Sequence, residues 1–270
     1  MGILNITPDS FSDGGRFPSV AAAVDAAGRM VEAGAAVIDI GGESTRPGAS
    51  AVSAAEEIDR VLPVIEGVRP FDAVVSVDTS KAAVAEAAIA AGAGMVNDVL
   101  AARAPGMLEV LARSRVAVCL MHMRGEPRTM QVRPEYEDVV REVAAFLAER
   151  ASACRAAGVA RERLMLDPGI GFGKTVPHNL ELLRNLPALS CDGLPILVGA
   201  SRKNTIGQLT GKPPAGRLAG SIGAAVFAVT RGAAMVRVHD VEETVDALEV
   251  VRAIESGSQW RPGGAGCRRA

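Results

Sequence analysis

The sequence is poor in aromatic residues, which make up only 3% of its 270 positions. Alanine, valine, leucine and isoleucine must therefore fill the interior, since apolar residues still account for 49% of the chain. No uncharged apolar run reaches the roughly 18 residues that a membrane span requires. A signal peptide is also not expected, because no basic segment precedes the apolar residues at the N-terminus. These absences predict a soluble fold with a sizeable core and no membrane partner.

The chain also lacks a clear excess of either positive or negative charge. The formal net charge is -2, which gives no reason to expect nucleic acid as a partner. The chain has four cysteines without a CxxC pair or metal-ligand spacing, so a zinc site is not expected. Reduced thiols in a cytoplasmic protein are the simplest account of their scattered positions, which are Cys119, Cys154, Cys191 and Cys267.

Several common catalytic and nucleotide-binding motifs are missing. There is no Walker A loop, and no GxGxxG motif follows a predicted strand, so a bound mono- or dinucleotide is not expected. There is also no GxSxG motif and no arrangement of Ser, His and Asp that would indicate a nucleophilic triad.

What the chain does contain is a regular alternation of short β-type runs and alanine-rich amphipathic stretches. The runs predict strands at residues 1–6, 37–40, 74–77, 95–98, 116–121, 164–167, 196–199 and 235–238. The amphipathic stretches predict helices at residues 20–33, 54–67, 81–91, 107–112, 135–157, 179–189, 218–231 and 241–255.

This count is that of a single-domain α/β fold, the (β/α)₈ TIM barrel. A doubly wound open sheet is the alternative, but polar residues end nearly all the predicted strands, which favours a ring of loops around one mouth. Residues 1–255 form the predicted barrel domain, and the Gly-, Ser- and Arg-rich residues 256–270 form a predicted disordered tail. The long polar loops at 7–19 and 41–53 are predicted to be mobile lids.

The chain is organised around residues 164–174, where four strand-forming residues lead into a glycine-rich loop. Asp167 ends that strand, and a carboxylate in such a desolvated place needs a partner. The same pattern recurs, and the residues at the strand ends are Asn5, Asp39, Asp78, Asn97, His122, Asp167, Ser201, Lys203, Arg237 and His239.

Carboxylates, amides and an ammonium converging in one hollow suit a flat heterocycle with an amidine edge and a carbonyl. Phe172 and Arg237 could sandwich such a ring. Structural roles remain open for three residues: Asp39 could simply tie strand 2 to a neighbour, and His122 and His178 are both more typical of structural histidines.

A second group of residues has the chemistry of an anion site. It comprises Thr45-Arg46-Pro47-Gly48, Ser201-Arg202-Lys203 and Arg237-Val238-His239. Phosphate sites after the last two strands recur in barrels, and Arg237 and His239 lie two residues apart, so their side chains project to the same face.

The sequence resembles the dihydropteroate synthases up to about Glu255, in the residues at the strand ends and in their order along the chain. The stretches that carry the resemblance are GILNITPDSFSDGG (2–15), DIGGESTRPGA (39–49), SVDTSK (76–81), MVNDV (95–99), LMHMRGEPRTMQ (120–131), LDPGIGFGK (166–174), LVGASRK (197–203) and RVHDV (237–241).

The resemblance implies condensation of 6-hydroxymethyl-7,8-dihydropterin pyrophosphate with p-aminobenzoate, through a pterin carbocation. It implies pterin contacts at Asp78, Asn97, Met121, Asp167, Phe172, Lys203 and Arg237. It implies pyrophosphate contacts at Asn5, Thr45, Arg46, Arg237 and His239, with Mg²⁺ held by Asn5 and the phosphates. It implies p-aminobenzoate contacts at Phe11, Pro47, Phe172, Ser201 and Lys203, and catalytic roles for Asp13, Lys203, Arg237 and His239.

Two alternatives share part of this pattern. A pterin-dependent methyltransferase would keep the Asp and Asn pair but has no need of the pyrophosphate cluster or the SFSDGG loop. An inactive pterin-binding paralogue would be expected to lose Asn5, Lys203, Arg237 or His239, all of which are present. The resemblance also implies a cytoplasmic homodimer that is a sulfonamide target.

Overall fold

Strands and helices alternate along the chain in this computed structural model, which describes residues 1–6, 19–44, 52–125 and 129–257. The strands are β1 (Gly2–Asn5), β2 (Val37–Gly41), β3 (Val74–Asp78), β4 (Met95–Asp98), β5 (Ala117–Met121), β6 (Leu164–Asp167), β7 (Leu197–Val198) and β8 (Met235–Val236). The helices are α1 (Val20–Glu32), α2 (Ala54–Val68), α3 (Ala82–Ala91), α4 (Met107–Arg113), α5 (Val139–Ala156), α6 (Val176–Arg184), α7 (Leu186–Leu189), α8 (Asn204–Thr210), α9 (Leu218–Thr230) and α10 (Val241–Ser256).

The strands close into a barrel. β1 to β6 pair in parallel in sequence order, and β7 pairs with β8. Two single bridges join these sheets, one between Leu166 and Ile196 and the other between Gly2 and Val238. The Ile3 N–H donates to the Val238 carbonyl at 3.0 Å across the second junction. The predicted barrel is thereby confirmed over the open sheet.

The barrel interior has an apolar lower layer and a polar upper layer. Val37, Met95, Cys119 and Leu197 are buried together at the lower level, with Met1, Ala117, Met165 and Met235 packed against them. Two residues further along four of these strands come Asp39, Asn97, Asp167 and Arg237. Side chains two residues apart in a strand share a face, so these polar residues also point into the barrel. They lie one layer nearer the carboxyl ends of the strands than the apolar residues.

Two predicted helices are wrong in their bounds. The helix predicted at 135–157 begins at Val139, where the Asp138 side chain accepts the Arg141 N–H. The helix predicted at 179–189 is two helices, α6 and α7, with a break at Asn185. α6 begins three residues earlier because the Thr175 side chain accepts the His178 N–H, and the His178 ring in turn accepts the Thr175 N–H. Pro187 at the start of α7 cannot donate the backbone hydrogen bond that a continuous helix would need.

Other differences are smaller. α8 was not predicted, because its sequence NTIGQLT has a central glycine and two threonines and shows no clear apolar period. β7 and β8 are only two residues long, although the bridge at Val238 continues the pairing of the last predicted strand. α10 extends to Ser256, while residues 258–270 and most of the two predicted lids lie outside the described residues. No helix in the described ranges is long and apolar enough to cross a membrane.

Candidate active site

A hollow opens at the carboxyl ends of the strands, above the polar layer. It is lined by Asp78, Asn97, Val99, Met121, Asp167, Phe172, Gly199, Lys203 and Arg237. All seven residues predicted to contact a pterin therefore line the same hollow. Val99 and Gly199 are additional lining residues that the sequence did not single out. Gly199 adjoins Arg237, since a Cβ there would lie 3.8 Å from the Arg237 Cβ, in ordinary contact.

Arg237 is the centre of a buried polar network. Its Nε donates to Asp39 Oδ2 at 2.5 Å, and its Nη2 donates to Asp78 Oδ2 at 2.8 Å. Asn97 Nδ2 donates to the same Asp39 oxygen at 3.0 Å. Burial works against the charge of the guanidinium, but the two carboxylates outweigh it and raise the pKa of Arg237 above its usual value. Asp39 thus has the structural role left open from the sequence, and it ties β2 to both β4 and the end of β8.

The carboxyl groups of the hollow are held in a poorly solvated place. Burial raises the pKa of Asp78 to about 7, with Arg237 acting in the opposite direction and Asp39 adding to the rise. Burial also raises the pKa of Asp167, opposed by the nearby Lys203 and by the Gly169 N–H that donates to Asp167 Oδ1 at 2.7 Å. Such groups gain strongly from a ligand that offers them N–H donors.

Lys203 provides a cation in the lining of the hollow. Its Nζ donates to the Ile170 carbonyl and lies 4.3 Å from the centroid of the Phe172 ring. Burial lowers the pKa of Lys203 to about 8, although Asp167 stabilises the charge. The ammonium and the aromatic ring therefore form one wall, which suits a flat ligand that carries a carbonyl.

Residues of the predicted anion group lie at the rim. Ser201 Oγ is 3.1 Å from the ring nitrogen Nδ1 of His239 and accepts the backbone N–H of His239 at 3.2 Å. Asn5 ends β1 beside Gly41, and a Cβ at Gly41 would lie 3.4 Å from Asn5 Oδ1 and 3.5 Å from the Asp78 Cβ. Asn5 and Asp78 therefore adjoin the same glycine.

Some residues of the predicted site cannot be placed, and one is used differently. Phe11, Asp13, Thr45, Arg46 and Pro47 lie outside the described residues. Arg202, which belongs to the Ser201-Arg202-Lys203 stretch, forms a two-pronged ion pair with Asp240, its Nε donating to Oδ2 at 2.9 Å. This guanidinium fixes the turn before α8 to the start of α10.

Comparison with known proteins identifies the family. The family described as pterin binding enzymes matches residues 1–239. The dihydropteroate synthase of Escherichia coli K12 is 50% identical over 260 residues, which are 96% of this chain and 92% of the relative. The chain belongs to the dihydropteroate synthase family.

Solved structures of dihydropteroate synthases agree with this fold. The Yersinia pestis enzyme in complex with a sulfonamide drug has 51% identity and a TM-score of 0.92, over 95% of this chain and 94% of that one. The Burkholderia cenocepacia enzyme complexed with 7,8-dihydropteroate has 49% identity and a TM-score of 0.88, over 97% of this chain and 92% of that one. The prediction of a dihydropteroate synthase, a transferase, over a methyltransferase is confirmed, and so is the barrel.

The glycine loop of this dihydropteroate synthase lies directly against the backbone after β5. Gly169 has φ +66°, and a Cβ there would overlap the carbonyl oxygen of His122. A Cβ at Gly173, with φ +63°, would overlap the carbonyl oxygen of Arg124. Both conformations favour glycine, and both contacts leave no room for a side chain.

Gly169→Ala is therefore expected to displace the loop that carries Phe172 and to lower kcat/KM. The backbone strain alone costs about 1–2 kcal/mol of folding free energy, and the overlap with His122 adds to it. Gly211→Ala is the matched control, since Gly211 has φ +69° with no neighbour within 4 Å of its Cβ. Thermal unfolding should show lower stability in both variants, and steady-state assays should show lower kcat/KM in Gly169→Ala alone. Equal losses of kcat/KM in the two variants would argue against the role of the overlap.

His122 and Lys174 lie buried beneath this loop. The His122 ring packs edge-on against Phe146, with 4.9 Å between the ring centroids, and its Nδ1 is 2.9 Å from Lys174 Nζ. Burial, followed by the charge of Lys174, lowers the pKa of His122 from 6.5 to about 2. The imidazole is therefore neutral and accepts from the ammonium, which supports the structural role for His122. Lys174 is the last residue of the LDPGIGFGK stretch, but the sequence predicts no role for it.

The neutral His122 predicts a pH dependence of stability. The unfolded chain binds a proton at this residue below pH 6.5, whereas the folded chain does not bind it until about pH 2. Stability is thus lost as the pH falls, by up to about 1.4 kcal/mol per pH unit from this group. Urea unfolding between pH 7 and pH 5 should show a shallower loss for His122→Gln, in which the amide oxygen still accepts from Lys174. Parallel pH profiles would contradict this.

Proposed function

We propose that the hollow binds the dihydropterin ring, with its amidine edge on the Asp167 carboxylate and its carbonyl toward Lys203. The observation that carries this is the convergence of seven predicted contacts on one hollow. The Asp78 carboxyl group and the Asn97 amide are available to the remaining polar atoms of the ring. Phe172 and Arg237 provide its two faces, and Met121 contributes apolar wall.

We further propose that the pyrophosphate group lies at the rim, against Asn5, Arg237, His239, Thr45 and Arg46. The last two belong to the loop outside the described residues. Asn5 offers an amide oxygen, and Mg²⁺ commonly takes one or two protein oxygens together with phosphate oxygens. In the described ranges no three His, Cys, Asp or Glu side chains come together as a metal site, so the donor set fits an ion that arrives with the substrate. Bound there, Mg²⁺ would neutralise phosphate charge.

The reaction is proposed to be SN1-like. The bond between the pterin methylene carbon and the pyrophosphate oxygen breaks first, and the electron pair leaves with pyrophosphate. The carboxylates of Asp78 and Asp167 favour the positive charge that develops on the ring system, while Arg237 and His239 favour the charge on the leaving group. The aniline nitrogen of p-aminobenzoate then attacks the carbon and loses a proton to solvent.

p-Aminobenzoate is proposed to approach over Phe172, Ser201 and Lys203, with Phe11 and Pro47 from the two long loops. Asp13 is proposed to help stabilise the cation. Exclusion of water matters because water would trap the carbocation as the alcohol. The three loop residues lie outside the described residues, so their proposed roles rest on the resemblance.

Pyrophosphate release tests the assignment of the hollow. The chain mixed with both substrates and Mg²⁺ is expected to release pyrophosphate, and to stop when p-aminobenzoate or Mg²⁺ is omitted. Lys203→Met should lower kcat/KM by at least about 100-fold, because it removes a charged donor from the buried site. Lys212→Met, at an exposed lysine, is the control, and an equally small effect in both would reject the hollow as the site.

The SN1-like order has its own test. If bond breaking precedes attack, kcat for a series of ring-substituted p-aminobenzoates should vary little with the basicity of the aniline nitrogen. A steep dependence would instead indicate that the nucleophile takes part in bond breaking.

The resemblance to sulfonamide-sensitive members supports inhibition by sulfonamides, which would compete with p-aminobenzoate. A host that lacks its own synthase and is rescued by this chain should stop growing under sulfonamide. Growth at high drug concentration would count against the proposal.

A homodimer in the cytoplasm is proposed as the working form. An apolar groove of about 340 Å³ lies on the outer face of α6, α8 and α9, with Leu180, Leu209 and Phe227 exposed along it. Contiguous apolar surface of this kind is typical of protein interfaces. Three cysteines in the described part of the chain are free thiols, in keeping with a reducing compartment. Sedimentation equilibrium of wild type and Phe227→Glu would show whether this face holds two copies together.

A further inference from the structure

The carbonyl groups of the glycine loop, residues 169–173, all accept hydrogen bonds from side chains. Gln131 donates to Gly171 at 2.5 Å, and the Tyr136 hydroxyl donates to Gly173 at 2.9 Å. The Ile170 carbonyl accepts from Lys203. The other two carbonyls, those of Gly169 and Phe172, accept from Lys174 at 3.1 and 2.9 Å.

Lys174 is buried, and it donates to two of these five carbonyls, whereas each of the other side chains donates to one. The residue is 3% exposed. Besides the two loop carbonyls, its Nζ lies 2.9 Å from His122 Nδ1 and 3.3 Å from the His122 carbonyl. All four acceptors are uncharged. Burial lowers the pKa of Lys174 to about 7, although Asp167 favours its charge, so a charged amine here carries a cost in desolvation.

The packing of two backbone segments explains why a donor is needed at this point. Gly169 and Gly173 bring the loop against the carbonyls of His122 and Arg124 with no side chain between them. The carbonyl oxygens of residues 122, 169 and 172 consequently face one small space. Carbonyl dipoles that point at each other repel, and an N–H donor between them relieves that repulsion. The three protons of a lysine ammonium serve the Gly169 and Phe172 carbonyls and the His122 ring, and the longer contact to the His122 carbonyl shares one of them.

The glycine loop contributes residues to the hollow, so the contacts of Lys174 affect the hollow as well. Phe172 and the Ile170 carbonyl are the two partners of Lys203, one through its ring and the other through its oxygen. Any shift of the loop would therefore move both the aromatic wall and the ammonium that faces the ligand.

We propose that Lys174 is a positioning residue, which acts through the glycine loop to set Phe172 and Lys203 for the pterin ring. It lies outside the lining of the hollow and exerts its effect by fixing residues 169–173 to the end of β5. This inference rests on the pterin-binding role proposed above.

The first measurement needs no ligand and therefore stands apart from that role. Lys174→Met keeps the length of the side chain and removes its donors. Hydrogen exchange of the amides in residues 169–173 is expected to accelerate by at least about tenfold in this variant, because loss of a charged donor to buried acceptors is worth about one to two decades. Exchange in β1 to β4 should change much less. Unchanged loop exchange would overturn the proposal.

The second measurement asks whether the loop matters to the ligand. Titration with 6-hydroxymethyl-7,8-dihydropterin should show a Kd at least about tenfold weaker in Lys174→Met than in wild type. The inhibition constant of inorganic pyrophosphate should remain within about twofold, since its proposed contacts include neither the glycine loop nor Phe172 or Lys203. Lys212→Met is the matched control. Lowered thermal stability with pterin affinity unchanged would show a merely structural lysine and overturn the proposal.

A third variant covers a failure to fold. Lys174→Gln retains two N–H donors without the charge and is expected to give intermediate loop exchange and intermediate pterin affinity. If neither variant folds, Lys174 is architectural and the proposal is wrong. If wild type fails to bind the pterin while loop exchange responds as expected, the assignment of the hollow is at fault and the loop mechanism stands.

Discussion

Asp167→Asn is expected to weaken dihydropterin binding by at least about 100-fold. The buried carboxylate accepts the Gly169 N–H and is proposed to accept two N–H groups from the amidine edge. An amide in its place turns one acceptor into a donor, which then opposes an N–H of the ring. Isothermal titration of the ligand into wild type and variant measures the loss directly.

Asp98→Asn is the matched control for this result. Asp98 lies at the end of β4, fully buried on the opposite face from Asn97, and its two oxygens accept the N–H groups of Leu100 and Ala102 at 2.8 Å each. The variant should lose stability because it breaks a bond within that turn, yet bind the dihydropterin within a few-fold of wild type. Equal affinity losses at Asp98 and Asp167 would mean that buried carboxylates matter here only for folding.

Arg237→Met is expected to lower the free energy of unfolding by about 3–5 kcal/mol and to abolish activity. The substitution leaves Asp39 and Asp78 buried with no guanidinium between them, and both contacts are short in the native protein. It also removes the proposed cation from the leaving group. Denaturant unfolding and pyrophosphate release give the two parts of this result.

Two further variants separate charge from packing. Arg237→Met/Asp39→Asn should recover part of the lost stability, because it removes one of the two unpaired carboxylates, but no activity. Arg163→Met removes another partly buried guanidinium, one that donates to the carbonyls of Leu111 and Val116. It should lose stability and retain activity per folded molecule. A double variant no more stable than Arg237→Met would show that the ion pairs contribute little.

The strands could be located from the sequence because each is a short apolar run with a polar residue at its end. The first six predicted strands agree with the structure within one or two residues, since burial on both faces makes such runs continuous. α7 is a single turn, and α8 has a central glycine and two threonines that obscure a helical period. The break at Asn185 was missed, although Pro187 two residues later is a sequence signal for the end of a helix. The ends of helices were easier where a side chain caps them, as Ser53 does for α2.

The candidate site was predictable to the extent that it lies at strand ends. Asp78, Asn97, Asp167, Lys203 and Arg237 were found in this way, and they line one hollow. Interactions between distant residues were not predictable: Arg237 and Asp39 are 198 positions apart, and only the closed barrel brings them together. Lys174 was missed because a lysine after a glycine loop ordinarily points to solvent, and nothing in the sequence shows that this one turns inward.

The binding of the pterin ring in the strand-end hollow is tested most directly by a crystal structure of the chain with 6-hydroxymethyl-7,8-dihydropterin. The account predicts the ring between Phe172 and Arg237, with its amidine nitrogens within hydrogen-bond distance of the Asp167 carboxylate and its carbonyl facing Lys203. A ring bound elsewhere, or bound in the hollow without contact to Asp167, would contradict it.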